Sequence, residues 1–233
     1  MITIFSIAYN EIIMLSKFVE HYRRNFPYCR IVIYSNESDD GTDELAISLG
    51  CEVIVYKTGG KLSDKTYLEI KNTCWRNAKT DWVLISDIDE FCDLDTDDIV
   101  IEEALGTTLL RFEGYNMIGM DGTLNIDKID HGVRAPSYDK TYCFRRSKIE
   151  SINYGPGAHS ASPVGEIKYS DEVYRTLHYK YIEVEYMIKR HKHFASRLSD
   201  DNKKHNYGGH YLFPEKRIRK EFEEARKQAI KIL

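Results

Sequence analysis

Hydrophobic positions change period several times along the chain, and each change marks an element. Ile2 to Ala8 is an apolar run of strand length, whereas Asn10 to Tyr22 spaces Ile13, Leu15, Phe18, Val19 and Tyr22 at helical intervals. Arg30 to Tyr34 reads as a second strand, closed by Ser38-Asp39-Asp40-Gly41-Thr42, a turn that also supplies a cap for a helix over Asp43 to Leu49. Cys51 to Tyr56 is a third strand, Lys65 to Ala78 a helix, and Trp82 to Ile88 a fourth strand. Strand and helix thus alternate through the first part of the chain, which predicts an α/β fold built on a doubly wound, mostly parallel sheet.

Beyond Asp95 the pattern loosens. Thr108 to Phe112, Lys140 to Arg145 and Val173 to His178 read as strands and Ile182 to Phe194 as a helix. An irregular stretch from Ser151 to Gly165 holds Gly155-Pro156-Gly157-Ala158-His159-Ser160, and loops of that length in a compact domain are functional or mobile. A last helix, opened by Pro214, puts Ile218, Phe222, Ala225, Ala229 and Leu233 on one stripe and is expected to dock on the domain.

The 233 residues suffice for one substantial domain with a helical appendage, and 42% hydrophobic and 30% charged residues are ordinary for a soluble protein. No apolar stretch approaches a membrane span, and Met1-Ile2-Thr3-Ile4-Phe5 lacks a basic segment before its apolar run, so a cytoplasmic location is expected. The five cysteines form no Cys-x-x-Cys pair, which argues against a zinc ribbon or a disulfide framework. The net charge of −4 conceals an asymmetry: Arg175 to Leu233 carry 15 Lys and Arg against 8 Asp and Glu. Such a tail could meet phosphates, nucleic acid or an anionic membrane, but a solvated helical face explains most of it and nucleic-acid binding is not expected.

The chemistry concentrates where Trp82-Val83-Leu84-Ile85 runs into Ser86-Asp87-Ile88-Asp89-Glu90-Phe91. If the strand continues to Ile88, alternation puts Asp87 and Asp89 on one face at its end. Two carboxylates there suit a hard cation, Mg²⁺ or Mn²⁺, which keeps open positions for substrate phosphates. Ligands of open parallel sheets also bind beyond such strand ends. The bland alternative is a solvated acidic turn.

Several segments together resemble the nucleotide-sugar-dependent glycosyltransferases of the GT-A fold, close to the family 2 type. Ile4-Phe5-Ser6-Ile7-Ala8-Tyr9-Asn10-Glu11 is similar to that family's first strand and its AYNE turn. Asn36 to Thr42 resembles its DNxSTDGT segment, and Asp81 to Phe91 its DWVLxxDxDEF segment. His159-Ser160 and Leu177-His178-Tyr179 resemble elements of a small bacterial and viral-type branch. The resemblance implies a glycosyltransferase domain over residues 1–212, with a nucleotide-binding half (1–95) and an acceptor half (96–212), followed by the C-terminal helix (213–233). It further implies a donor site of Ala8, Tyr9, Asn10, Glu11, Asn36, Lys71, Asn72, Asp87 and Ile88. For the metal it implies Asp89 as direct ligand, Asp87 on the ribose or reaching the metal through water, and His178 with His159 in reserve. Ser35 stands where the family often has Asp, and Lys71 where it has Arg, a point charge in place of a fork.

The implied reaction moves a hexosyl or deoxyhexosyl group from a UDP-, GDP- or dTDP-type sugar to a glycan or other glycoconjugate hydroxyl, with inversion. A general base is then needed at the acceptor, and the place of the base in inverting relatives, several tens of residues after the metal motif, admits Asp121, Asp171 and Glu172, with Asp171 and Asp121 the candidates; a retaining course would need no such base. Two alternatives stay open: a sugar nucleotidyltransferase, though no Gly-rich basic signature follows the first strand, and a non-catalytic module that binds a sugar nucleotide or glycan.

Overall fold

The computed structural model describes residues 1–233. The first half runs β1 (Ile2–Ala8), α1 (Ile12–Asn25), β2 (Arg30–Ser35), α2 (Thr42–Ser48), β3 (Glu52–Val55), α3 (Asp64–Thr73), β4 (Trp82–Ile85), β5 (Glu90–Asp93) and α4 (Thr96–Ala104). The second runs β6 (Leu109–Ile118), β7 (His131–Arg134), β8 (Cys143–Arg145), β9 (Ile149–Ser151), β10 (Val164–Gly165), β11 (Tyr169–Tyr181), α5 (Val184–Arg197), α6 (Asp200–His205), α7 (Glu215–Gln228) and β12 (Ile230–Lys231).

The central sheet has the order β12-β7-β6-β8-β4-β1-β2-β3, with β11 paired to β6 and to β5. Pairings among β1 to β4 are parallel, as is the long β6–β11 ladder, while β7, β8, β5 and β12 join antiparallel. Alternation along the strands feeds two cores. Ile2, Ile4, Ile31, Ile33 and Leu84 face α1 and α2, against Met14, Leu15, Phe18, Tyr22 and Ala46. Phe5, Val32, Val83 and Ile85 face the other way, against Cys74, Trp75 and Ala78. Both faces of β1, β2 and β4 are therefore covered, which is why these strands read as apolar runs. The fold is α/β and doubly wound.

The second half departs from the expected elements in instructive ways. β6 and β11 extend well past the apolar cores that announced them, because pairing with each other satisfies backbone where the sequence is polar. The irregular 151–165 stretch is a small hairpin, β9 with β10, closed around a 3₁₀ turn at Pro156–Ala158. The last helix ends at Gln228 rather than at the chain end, since Ile230 and Lys231 pair with β7 as an edge strand. Ile218 and Phe222 bury with Ile118, Tyr181, Met187 and Ile188, so α7 docks on the sheet through α5. Its basic residues are largely paired with its own acids or with a neighbour's, as in Arg217–Glu221, Lys220–Glu224 and Arg219 with Glu185 and Glu215, the signature of a solvated face. No helix is long and apolar enough to cross a membrane.

Gly114 controls how the second half meets the site. It lies in β6 beneath the 3₁₀ turn Pro136–Tyr138, and a Cβ there would collide with Tyr138 Cβ and come within 2.8 Å of the Ala135 carbonyl oxygen. Both obstacles are backbone-anchored, so Gly114→Ala forces a shift rather than a rotamer change. The variant is expected to lose about 1–3 kcal/mol of stability, read as a lower urea midpoint at unchanged slope. A midpoint equal to wild type would show that the 136–138 turn moves freely.

Candidate functional site

The β1–α1 and β2–α2 turns are stapled to each other. Asn10 and Glu37 both adopt left-handed backbone, with φ of 53° and 57°. Asn10 Nδ2 donates to Asp39 Oδ1 at 2.6 Å, and the Asp39 N–H returns a bond to Asn10 Oδ1 at 2.9 Å. The Glu11 N–H donates to Thr42 Oγ1 at 2.8 Å, and Gly41, at φ 92°, supplies the left-handed turn that leads into α2. Ser35 Oγ donates to Asp43, which fixes the same turn from below. These contacts fix Tyr9 and Glu11 at the carboxyl end of β1.

β4 ends at Ile85, not Ile88. Ser86 N–H still bonds the Phe5 carbonyl, but the chain then turns, with Glu90 N–H donating to the Asp87 carbonyl at 3.0 Å, and restarts as β5 against β11. Asp87 and Asp89 therefore do not share a strand face, and that expectation is corrected: each has its own cationic partners. Asp87 lies 2.7 Å from Lys71 Nζ and 3.8 Å from Lys140 Nζ. Asp89 lies 3.0 Å from Arg190 and 3.7 Å from His178 Nε2. Arg190 also holds Glu11 at 2.6 Å, and Lys140 holds Glu90 at 2.6 Å, with both members of the latter pair 3% exposed.

The electrostatics follow from burial opposed by these cations. Burial alone would raise the Asp89 pKa, but Arg190 and then His178 outweigh it and hold the carboxyl below the usual carboxylate range. Asp87 is lowered in the same way by Lys71 and Lys140, against its own desolvation. Burial also opposes the charge on Lys71, and Asp87 and Glu90 overcome it and raise its pKa. Glu11 is pushed up to about 7, because burial exceeds the attraction of Arg190.

These groups line one cavity of about 360 Å³ beyond the carboxyl ends of β1 and β4. It brings together Tyr9, Glu11, Lys71, Asp87, Ile88, Asp89, His178 and His159. His178 Nδ1 is 2.7 Å from Asn116 Oδ1, and its ring stacks on Tyr138 at 3.9 Å, with His159 edge-on to the same Tyr138 ring at 5.5 Å. His159 Nδ1 meets the Ser137 carbonyl oxygen at 2.7 Å, and its pKa is lowered by burial and then by Lys140.

Other nominated residues do not line the cavity. Ala8 and Asn10 hold the turns, and Asn36 is buried against Thr58 and Arg197. Asn72 Oδ1 accepts from the Tyr154 N–H at 2.8 Å, so it pins the neighbouring loop. Asp121 sits in the exposed turn after β6, accepting from Thr123. Asp171 lies near the start of β11, seven positions and roughly 23 Å of strand from His178. Strand direction decides this outcome: β11 carries its far end, not its beginning, into the site, so neither aspartate reaches the cavity as a base.

Helix α5 was the main omission. It crosses the cavity with Arg190 on Glu11 and Asp89, His193 stacked on Tyr9 at 5.2 Å, and Arg197 over the Tyr9 ring at 3.0 Å while donating to Asn36 Oδ1 at 2.7 Å. The spacing of 190, 193 and 197 places all three on one helix face. A charged stripe beside the apolar positions Met187, Ile188 and Phe194 was the available signal.

No family profile matches the chain, and no curated protein matches it. Among solved structures it is similar to S. aureus TarS, with TM-score 0.47, 13% identity and coverage of 84% of this chain and 39% of that one. TarS 1–349 in complex with UDP-GlcNAc gives 0.47 and 14%, covering 84% and 66%. Glucosyl-3-phosphoglycerate synthase from Mycobacterium tuberculosis, in complex with Mn²⁺, UDP and glucosyl-3-phosphoglycerate, gives 0.43 and 14%, covering 68% and 62%. The chain spans less than two thirds of the length of each of these.

The burial of His191 on α5 yields a pH test. Its pKa is lowered to about 4 by burial and by Lys180, with Arg190 adding to and Glu221 opposing the effect and His210 beside it. A histidine depressed in the folded state stabilises the fold above its unfolded pKa of about 6.5, and that contribution is lost as the pH falls through 4. Between pH 7 and 4.5 the urea midpoint of His191→Gln is expected to fall less than that of wild type. Glu11, raised and acting in the opposite direction over this window, is common to both proteins and drops out of the difference. Parallel losses in the two proteins would mean that His191 is not held neutral by the fold.

Proposed function

We propose that this chain is a nucleotide-sugar-dependent glycosyltransferase whose donor lies along the cavity from Tyr9 to His178. The observation that carries the reading is the convergence on one cavity of the first-strand turn, the Asp87–Glu90 turn and the end of β11, three segments that are remote in sequence. Ligands of doubly wound sheets bind beyond strand ends of this kind. Tyr9, with His193 and Arg197 on its ring, offers an aromatic and cationic surface for a nucleoside. Lys71, Lys140 and Arg190 are the cations available to a diphosphate, provided that they exchange their carboxylates for it.

A divalent ion, Mn²⁺ or Mg²⁺, fits at Asp89 and His178. Asn116 Oδ1 accepts from Nδ1, which leaves Nε2 of His178 as the ring nitrogen facing the Asp89 carboxylate, and in the neutral ring that nitrogen carries the lone pair a cation would take up. No third His, Cys, Asp or Glu joins the pair, which leaves positions for diphosphate oxygens and water. Bound there, the ion would supply Lewis-acid stabilisation of the leaving diphosphate. We assign Asp87 to anchoring Lys71 and Lys140 rather than to the ion. Transfer with inversion to a glycan or glycoconjugate hydroxyl remains our reading of the course. Its base then comes from the cavity, where Asp87, Asp89 and Glu90 are committed to cations and His159 is not ion-paired.

Thermal melting tests this with UDP-, GDP- and dTDP-sugars, and with nucleoside triphosphates, each with Mn²⁺ and with a chelator. One diphosphate sugar at about 100 times its Kd is expected to stabilise the protein by roughly 2.7 kcal/mol, in a metal-dependent manner. Asp89→Asn should remove the metal dependence. Stabilisation by a triphosphate alone would favour a nucleotidyltransferase, and no response to any sugar nucleotide would sink the transferase reading.

A further inference from the structure

The cavity continues past Asp89 and His178 into a corner formed by the end of β11, the first half of α5 and the loop after α6. Lys180, His191 and His210 all line it. Lys180 forms no ion pair and donates no hydrogen bond; its Nζ lies 5.1 Å over the Tyr181 ring. The carboxylates whose fields reach Lys180 are Glu221 and Asp89. Both are committed elsewhere, Glu221 to Arg217 at 2.9 Å and Asp89 to Arg190 at 3.0 Å. His191 is 4% exposed, and its Nδ1 is buried without a hydrogen-bond partner. His210 packs against it at 5.7 Å between ring centroids. One cavity thus holds an ammonium with no carboxylate partner and an imidazole whose buried Nδ1 has none, although buried polar groups are otherwise satisfied.

We propose that Lys180, His191 and His210 form an anion subsite at the acceptor end of the cavity, so that the hydroxyl acceptor carries a phosphate or carboxylate group. This assignment rests on the transferase reading above. The proposed donor end is made by Tyr9 after β1 and by Asp87 with Lys71 of α3; Lys180 stands on β11, two residues beyond His178, on the strand that belongs to the second half of the chain. Met187 and Tyr211 give the corner apolar walls, which suit a charged group attached to a larger body over a free ion. The lowered pKa values of His191 and His210, for which Lys180 is a cause second only to burial, show that the three groups share one field.

The test is calorimetric titration of the full chain with glycerol 3-phosphate and with glucuronate, one probe for each kind of anion, with Mg²⁺ present throughout. Each titration is run on the free protein and on protein saturated with the nucleotide that stabilises it. One probe is expected to bind both forms with Kd values within about threefold. Lys180→Met should weaken that binding about tenfold or more, while Lys180→Arg retains it. His191→Gln provides a second variant should Lys180→Met fail to fold, and it should weaken the same probe. Loss of probe binding on saturation with nucleotide would overturn the proposal, because the anion would then occupy the diphosphate site. Wild-type binding by Lys180→Met, or binding of neither probe, would overturn it as well. Lys180-dependent probe binding in a protein that binds no nucleotide would support the anion subsite while removing the transferase reading.

Discussion

Four carboxylates gathered at the ends of two neighbouring strands, Glu11 and Glu90 buried and Asp87 and Asp89 partly so, are the constraint on which the rest of this molecule depends. So many like charges cannot all stay ionised in one place without cations, since burial of an ion is costly. Lys71 comes from α3, Lys140 from the segment before β8, and Arg190 from α5. Three parts of the chain that no hydrophobic pattern brings together are thus tied to one point by charge. Ion pairs of this kind add little net stability compared with an apolar core, but removing one partner leaves a buried charge uncompensated. What they supply is position.

The same arrangement sets the terms of ligand binding. Arg190 bridges Glu11 and Asp89, and the Asp89 oxygen that it holds is the one facing His178. A cation or a diphosphate at Asp89 therefore competes with an existing contact rather than filling a void. Release of Arg190 from Asp89 would leave it paired to Glu11, whose raised pKa marks a carboxylate that already lies near its limit of desolvation. On the proposed reading a diphosphate would take up the freed guanidinium, and the exchange would conserve charge pairing. A site prepaired in this way discriminates against ligands that lack the second charge.

The legible parts of the sequence were those in which one physical demand acts alone. The strands β1, β2 and β4 are covered on both faces, so each declared itself as an apolar run, and the turns at Asn10 and Gly41 carry residues that only their backbone conformation explains. The motif residues Tyr9, Glu11, Lys71, Asp87, Asp89, His159 and His178 do gather on one cavity. Strand alternation misplaced Asp87 relative to Asp89 because β4 stops at Ile85, where its ladder partner β1 still offers one carbonyl and no more. Asp171 falls outside the cavity because distance along a chain says nothing of which end of a strand enters a site. Lys140 and Arg190 carried no local signal beyond a charge on a buried face, since what selects them is the field of carboxylates distant in sequence.

Helix α5 is where these demands meet. Within eight residues it presents Arg190 to Glu11 and Asp89, His191 to the corner with Lys180 and His210, and His193 and Arg197 to the ring of Tyr9. Successive residues on a helix diverge by about 100°, so His191 points away from the stripe of Arg190, His193 and Arg197 and toward the second half of the chain. One rigid rod therefore meets the Tyr9 ring, the Glu11–Asp89 pair and the Lys180 corner.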